Sequence, residues 1–233
     1  MYNFEKILFI DIETVSHSDS YENLSSKMQK LWDKKANTIF QKDSNETSAD
    51  LFVKKGAIYS EFGKVVTISL GKFFQEKRIL KIKSFCEEDE KKLLIDFINF
   101  VDQHNSGEII FCGHNIKEFD IPYLCRRILV NGIKLPIFLD LSGKKPWEVK
   151  NLDTMEMWSF GDRKNFTSLD LLTTIFGIES SKSDMDGSDV HKVFYEEKNF
   201  ERLKEYCSND VIATTNLFLK MKGYDQIKEV SYS

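Results

Sequence analysis

A chain of 233 residues with 41% hydrophobic and 13% aromatic side chains is long and apolar enough to bury a full core, which excludes disorder throughout. Eleven Gly and three Pro exclude a collagen-like or low-complexity polymer. A net charge of −4 excludes a generally basic nucleic-acid binder, so contact with a polyanion must come from local patches or from cations held on carboxylates.

In chain order, Lys6 to Ile10 is a short continuous apolar run, the pattern of a strand buried on both faces. It ends in Asp11 and Glu13, where a signal peptide would stay apolar, and no later run reaches the roughly 18 to 20 residues of a membrane span. Ser16 to about Lys55 is polar and reads as an insertion over the core of a single domain spanning 1–233. Within it Leu24, Met28 and Leu31 recur at helical spacing, and Asn37 to Ala49 is expected to be mobile. Strands are predicted at Val65–Leu70 and Arg78–Ser84, then a helix over Glu87–Gln103 with one apolar stripe and a strand at Glu108–Cys112. A helix with Pro122 near its start and Gly132 after its end follows, then a loop through Lys144, Lys145 and Trp147 and a short segment ending at Asp153. A helix over Ser168–Phe176, a loop over Ser180–Ser188 and a long helix over Phe200–Met221 complete an α/β fold with a mixed sheet. The cysteines, Cys86, Cys112, Cys125 and Cys207, form no C-x-x-C pair, so no zinc site is predicted. Cys112 and Cys125 lie in apolar surroundings and are expected as buried reduced thiols of a soluble, cytoplasmic protein with no membrane contact.

Three clusters carry chemistry. Asp11 and Glu13, two apart on a strand, point to the same side. Gly113 to Leu124 leads from a strand into a helix, and Asp120 taken alone would be a helix cap. Tyr206 and Asp210, four apart, share a face of the last helix, where an Asp near the core needs a partner or a metal. Two charges about 5 Å apart repel by roughly 3 kcal/mol at an effective dielectric of 20, so four carboxylates gathered together call for cations.

Together these clusters resemble the DEDD superfamily of 3′–5′ exonucleases in its tyrosine-bearing branch. D-x-E is met by Asp11 and Glu13, N-x-x-x-F-D by Asn115, Phe119 and Asp120, and Y-x-x-x-D by Tyr206 and Asp210. Glu205 stands where the histidine-bearing branch has its His. The string Gly113 to Leu124 is most similar to the proofreading exonuclease domain of family-B DNA polymerases, and Asp186 to Val190 with the Y-C-x-x-D-V of Tyr206 to Val211 to stand-alone bacterial relatives of it. The resemblance implies a ribonuclease H-like fold, a mixed five-stranded sheet flanked by helices. It implies hydrolysis of phosphodiester bonds at 3′ ends with two Mg²⁺ or Mn²⁺ ions and release of nucleoside 5′-monophosphates. Asp11 would bridge both ions, Glu13 and Asp210 complete the first, Asp120 hold the second, and Tyr206 orient the attacking water. The backbone of Ile12, with Thr14, Asn115 and Phe119, would contact the terminal nucleotide. Single-stranded DNA is favoured over RNA, with a polymerase or repair partner in trans. An RNA-trimming exoribonuclease and a non-catalytic nucleic-acid-binding module on the same fold stay open. Lys144, Lys145, Lys150, Arg163 and Lys164 are candidates to follow a nucleic-acid backbone. Asp153, Asp170, Asp186 and His114 are not assigned to the site.

Overall fold

Ten residues form the central strand β1 (Ile7–Ser16), and helices cover both of its faces. Ile10 and Ile12 pack with Leu93, Leu94 and Phe97 of α3 (Glu90–His104) and with Ile121, Leu124 and Ile128 of α4 (Asp120–Val130). Ile7 and Phe9 pack on the other face against Val211, Phe218 and Leu219 of α8 (Phe200–Met221). Burial on both faces is why the strand reads as a continuous apolar run rather than an alternating one. The computed structural model describes residues 2–39, 46–104, 108–162, 166–178 and 185–233.

The sheet has six strands in the order β5 (Leu152–Asp153), β4 (Ile110–Gly113), β1, β2 (Gly63–Phe74), β3 (Ile79–Cys86) and β6 (Glu229–Tyr232). β1 runs parallel to β4 and antiparallel to β2. The expected five-stranded sheet is therefore corrected to six. The added strand is β6, which lies parallel to β3 from Ile79↔Glu229 to Ile82↔Tyr232. β2 and β3 also run closer together than predicted, pairing up to Phe74↔Ile79 and leaving a turn of Gln75 to Arg78.

A buried ion pair ties the α3–α4 side together. Glu90 Oε1 accepts from Arg127 Nε at 2.9 Å and from the Val65 N–H at 2.8 Å. Its Oε2 accepts from Arg127 Nη2 at 2.6 Å and Asn131 Nδ2 at 2.8 Å, and Arg127 Nη1 donates to the Ser60 carbonyl at 2.9 Å. α3 starts at Glu90 rather than at Glu87, where sequence places it, and Asp89 Oδ1 accepts from the N–H groups of Lys91 and Lys92 in its first turn.

The polar insertion packs a small core of its own. Between α1 (Ser26–Ile39) and α2 (Ser48–Lys55), Trp32 is fully buried against Phe52 and Phe62, at ring distances of 5.4 and 5.1 Å. Leu24 joins this cluster, whereas Leu31 is 43% exposed, so Trp32 and Ala36 supply the buried stripe where Leu31 was expected. Hydrogen bonds from Ser16 Oγ to the Phe52 carbonyl (2.8 Å) and from Thr14 Oγ1 to the Ala57 carbonyl (3.0 Å) root the insertion on the end of β1. The predicted mobile stretch falls partly in α1 and α2, and its middle lies outside the described residues, as does most of the predicted 180–188 loop. Among the described residues no helix is long and apolar enough to cross a membrane.

Candidate active site

Parallel β1 and β4 pair from Ile7↔Ile110 to Phe9↔Cys112, and the loop that follows β4 starts at their carboxyl ends, the end at which ligands bind in open α/β sheets. Gly113 makes the turn there possible: a Cβ on it would lie 2.1 Å from Ile116 Cγ2 and 2.7 Å from the Ile10 carbonyl oxygen. Asn115 follows in the left-handed region (φ 64°), which asparagine tolerates better than most side chains. The loop is pinned by Asp153, 3% exposed at the end of β5. Its Oδ1 accepts from the Asn115 N–H (2.9 Å) and the Met155 N–H (3.0 Å), and its Oδ2 accepts from the Lys117 N–H (3.0 Å). Asp120 is the first residue of α4 rather than its cap, and its Oδ1 accepts from the Ile12 N–H at 3.2 Å.

Asp11 and Glu13 interrupt the apolar face that β1 turns to α8, where Phe9 and Val15 flank them. α8 brings Tyr206, Cys207 and Asp210 to the same place. The Cys207 Sγ lies 3.3 Å from Asp11 Oδ2, and ligand atoms of Asp11, Glu13 and Cys207 all fall within 4.8 Å of one another. Burial, and then the charges of Glu13, Asp210 and Asp120, push the Asp11 carboxyl well above the usual range. Burial, Asp210 and Asp120 do the same to Glu13. Burial raises Asp120 to about 7 against the opposing pull of two backbone hydrogen bonds, and raises Asp210 to about 6 with help from Asp170. Burial, then Glu13, Asp210 and Asp11, push the Tyr206 phenol up, and burial with Asp11 and Glu13 pushes up the Cys207 thiol. The three sequence clusters thus meet in one electrostatically coupled site.

The donor set fits divalent cations. Its oxygens are hard, and among the described residues none of the four carboxylates forms an ion pair. Asn115 Oδ1, in the loop that carries Asp120, is buried without a hydrogen-bond partner. The remaining candidates divide. The Ile12 N–H is taken by Asp120 and its side chain lies in the core, while Thr14 Oγ1 is bonded to Ala57. Phe119 is half-buried, its ring 5.3 Å from that of Tyr123. His114 tethers the loop, with Nδ1 2.8 Å from Thr154 Oγ1 and Nε2 2.9 Å from the Thr167 carbonyl, and burial lowers its pKa. Lys150 pairs with Glu108 at 2.5 Å, the Lys145 ammonium sits 5.2 Å from the Trp147 ring centre, and Arg163 and Lys164 lie outside the described residues. Asp186 closes a turn onto Ser188. Sequence reasoning gave no role to Cys207, although it lies within the Tyr206–Asp210 cluster, nor to Asp153 as an anchor. The signal for Cys207 was its place three residues before Asp210, on a shared helical face.

These carboxyls make the metal-free fold sensitive to pH. Asp120 and Asp210 hold protons up to about 7 and about 6 in the fold, against roughly 4 in an unfolded chain. Between those values the folded state binds more protons than the unfolded one. Their stabilising contribution is full below about pH 4 and is lost as pH rises through 6 to 7. In EDTA the protein is expected to melt at a lower temperature at pH 8 than at pH 5.5, and Asp210→Asn is expected to narrow the gap. Calorimetric melts at the two pH values check it, and equal gaps in wild type and variant contradict it.

A family model described as a predicted 3′–5′ exonuclease related to the exonuclease domain of PolB matches residues 58–233. That stretch holds Asn115, Phe119, Asp120, Tyr206 and Asp210, whereas Asp11 and Glu13 precede it. Among solved structures, the chain is similar to the family B DNA polymerase from the hyperthermophilic archaeon Pyrobaculum calidifontis, at 16% identity and a TM-score of 0.58. The likeness covers 92% of this chain and 24% of that one, so the chain spans about a quarter of the polymerase's length. At this identity the likeness shows the fold, and the six-stranded sheet flanked by helices is of the ribonuclease H-like kind. No curated protein matches the chain.

Proposed function

The chain belongs to the family of predicted 3′–5′ exonucleases related to the exonuclease domain of PolB, and from that membership we propose that it is a metal-dependent 3′–5′ exonuclease, acting as a single domain over 1–233. Its substrate is the 3′ end of single-stranded DNA and its products are nucleoside 5′-monophosphates. The observation that carries this reading is the meeting of Asp11, Glu13, Asp120 and Asp210, from three distant segments, in one buried cluster whose members raise one another's pKa. A fold gathers such charges at a cost that bound cations offset.

Asp11, Glu13, Asp120 and Asp210 would hold the cations, with Asp11 shared between them as the family resemblance implies. Held there, Mg²⁺ or Mn²⁺ supplies Lewis acidity and charge neutralisation to phosphodiester hydrolysis. The chain supplies position. The Tyr206 phenol, kept protonated by its surroundings, directs the attacking water through its hydroxyl. The Asn115 side chain, with its free acceptor, meets the terminal nucleotide. Phe119, half-buried beside Asp120, offers a ring edge to the same nucleotide, and Thr14 and the Ile12 backbone line the β1 side. A polymerase or repair protein delivering frayed 3′ ends is the partner that such an activity serves.

The test is digestion of matched single-stranded DNA and RNA, labelled at the 5′ end, with Mg²⁺ or Mn²⁺. A ladder shortening from the 3′ end of DNA is expected. Faster loss of RNA turns the assignment to an exoribonuclease, and binding without cleavage turns it to a non-catalytic module. Tyr206→Phe, which deletes one oxygen and keeps the ring packed, is expected to slow hydrolysis about 10²-fold with metal affinity unchanged. Single-turnover rates and a Mn²⁺ titration check both halves, and full activity makes Tyr206 a packing residue.

A further inference from the structure

Cys207 is the member of the cluster that none of the carboxylate motifs contains. It is fully buried on α8, with its Sγ 3.3 Å from Asp11 Oδ2 and 3.4 Å from the Asp11 carbonyl oxygen. A thiol is a weak donor, but both Asp11 oxygens beside it are acceptors, and the Ser69 hydroxyl also lies within hydrogen-bonding reach of the sulfur. Next to it a polar seam crosses the interface between sheet and helix. Ser69 Oγ on β2 is 2.8 Å from Ser84 Oγ on β3, which is 2.8 Å from Ser208 Oγ, which donates to the Lys204 carbonyl at 2.6 Å.

The proton count gives the seam a direction. A carbonyl only accepts, so the Ser208 proton goes to Lys204. The Ser84 proton then goes to Ser208 and the Ser69 proton to Ser84, and the Ser69 oxygen faces the Cys207 sulfur at the end of the seam. Satisfied in this way, hydroxyls buried between two layers fix how those layers sit, because any slip leaves one unpaired. Ser69 is also the residue directly opposite Asp11 in the β1–β2 ladder, and Ser208 adjoins Cys207. The seam therefore sets the height and rotation of α8 at the residue that touches Asp11.

The geometry points to Cys207 as a positioning residue: held by the serine seam, its S–H donates to Asp11 Oδ2 and fixes the direction in which that carboxylate meets the cations. This rests on the exonuclease reading above, with Asp11 as the shared ligand. It predicts that the sulfur itself is dispensable and the donor is not.

The test compares Cys207→Val, which fills the space without a donor, with Cys207→Ser, which keeps one. Mn²⁺ affinity is measured by calorimetry without nucleic acid, and kcat and KM on a single-stranded oligonucleotide. Partners that orient metal ligands are worth about 10- to 100-fold in affinity, so Cys207→Val is expected to weaken Mn²⁺ binding at least about tenfold. Its kcat should fall in parallel with KM for the oligonucleotide unchanged, and Cys207→Ser should recover most of both. Cys207→Ala is a second donor-free variant should Cys207→Val not fold. Wild-type Mn²⁺ affinity in the donor-free variant, or a Cys207→Ser protein as impaired as Cys207→Val, overturns the assignment. A wild type that binds Mn²⁺ yet cleaves neither DNA nor RNA removes the exonuclease reading, and the affinity difference between the two variants still decides the role of Cys207.

Discussion

Asp11→Asn protein, folded and supplied with Mn²⁺, is expected to release nucleotides from a single-stranded oligonucleotide on the order of 10³-fold more slowly than wild type, beyond the 10- to 100-fold that loss of an outer-sphere partner costs. The substitution keeps shape and removes one charge. It strikes a carboxylate on which Glu13, Asp210 and Asp120 all act. The same electrostatics argue that the protein stays folded: removing one of several like charges relieves repulsion, and without metal the variant is expected to melt no lower than wild type at pH 8. Metal should raise the melting temperature of wild type and leave that of the variant nearly unchanged, because only an assembled site lets binding favour the native state. Single-turnover product release beside melts with and without Mn²⁺ checks both. A rate within tenfold of wild type would remove Asp11 from the mechanism.

The largest loss of stability is expected far from the chemistry, at Arg127. Arg127 and Glu90 are 4% and 7% exposed. Arg127→Leu strands the Glu90 carboxylate in the interior with only the Val65 N–H and the Asn131 amide for support. Breaking such a pair costs about 3–5 kcal/mol, and for a chain of this size that is a fall in Tm of roughly 6 to 20 °C. Removing both charges, as Arg127→Leu with Glu90→Leu, is expected to recover much of the loss, since the penalty lies in the uncompensated ion rather than the missing bond. Chemical denaturation of the three variants separates the cases. Additive losses in the double variant would contradict the argument.

What sequence reveals here follows the range of the interaction. The apolar run of β1 and the face shared by Tyr206 and Asp210 are local, and α8 keeps its predicted bounds at Phe200 and Met221. β6 is four residues of mixed polarity whose only reason to be a strand is β3, some 150 residues earlier, so no window around Glu229–Tyr232 announces it. In the insertion the spacing of Leu24, Met28 and Leu31 was right for a helix and, at Leu31 alone, wrong for its face. Leu24 and Met28 do face the small core, and Leu31 yields its place to Trp32, whose bulk is buried against Phe52 and Phe62 from outside that window. At the site, motif spacing could nominate the carboxylates. It could not show the contact of Cys207 with Asp11, which depends on the register of α8 over the sheet, nor the hold of Asp153 on the N–H groups of Asn115 and Lys117, some 36 residues away; only its capping of Met155 and Glu156 is local.

The sheet also tapers. β1, β2 and β3, in its middle, run to ten, twelve and eight residues, while the outermost strands β5 and β6 have two and four. A sheet aggregates edge to edge by lending a long row of free N–H and C=O groups to another chain, and short or charged edges withhold that template. On one flank only Leu152 and Asp153 form the edge, and the Asp153 carboxylate ties this end down by taking the Asn115 and Lys117 N–H groups of the loop after β4. On the other, β6 begins at Glu229 directly after Lys228, placing opposite charges at the head of a strand too short to recruit a neighbour over any length. The strand that carries Asp11 and Glu13 thus lies two places in from either margin or deeper, where a second molecule cannot pry it open by adding a strand.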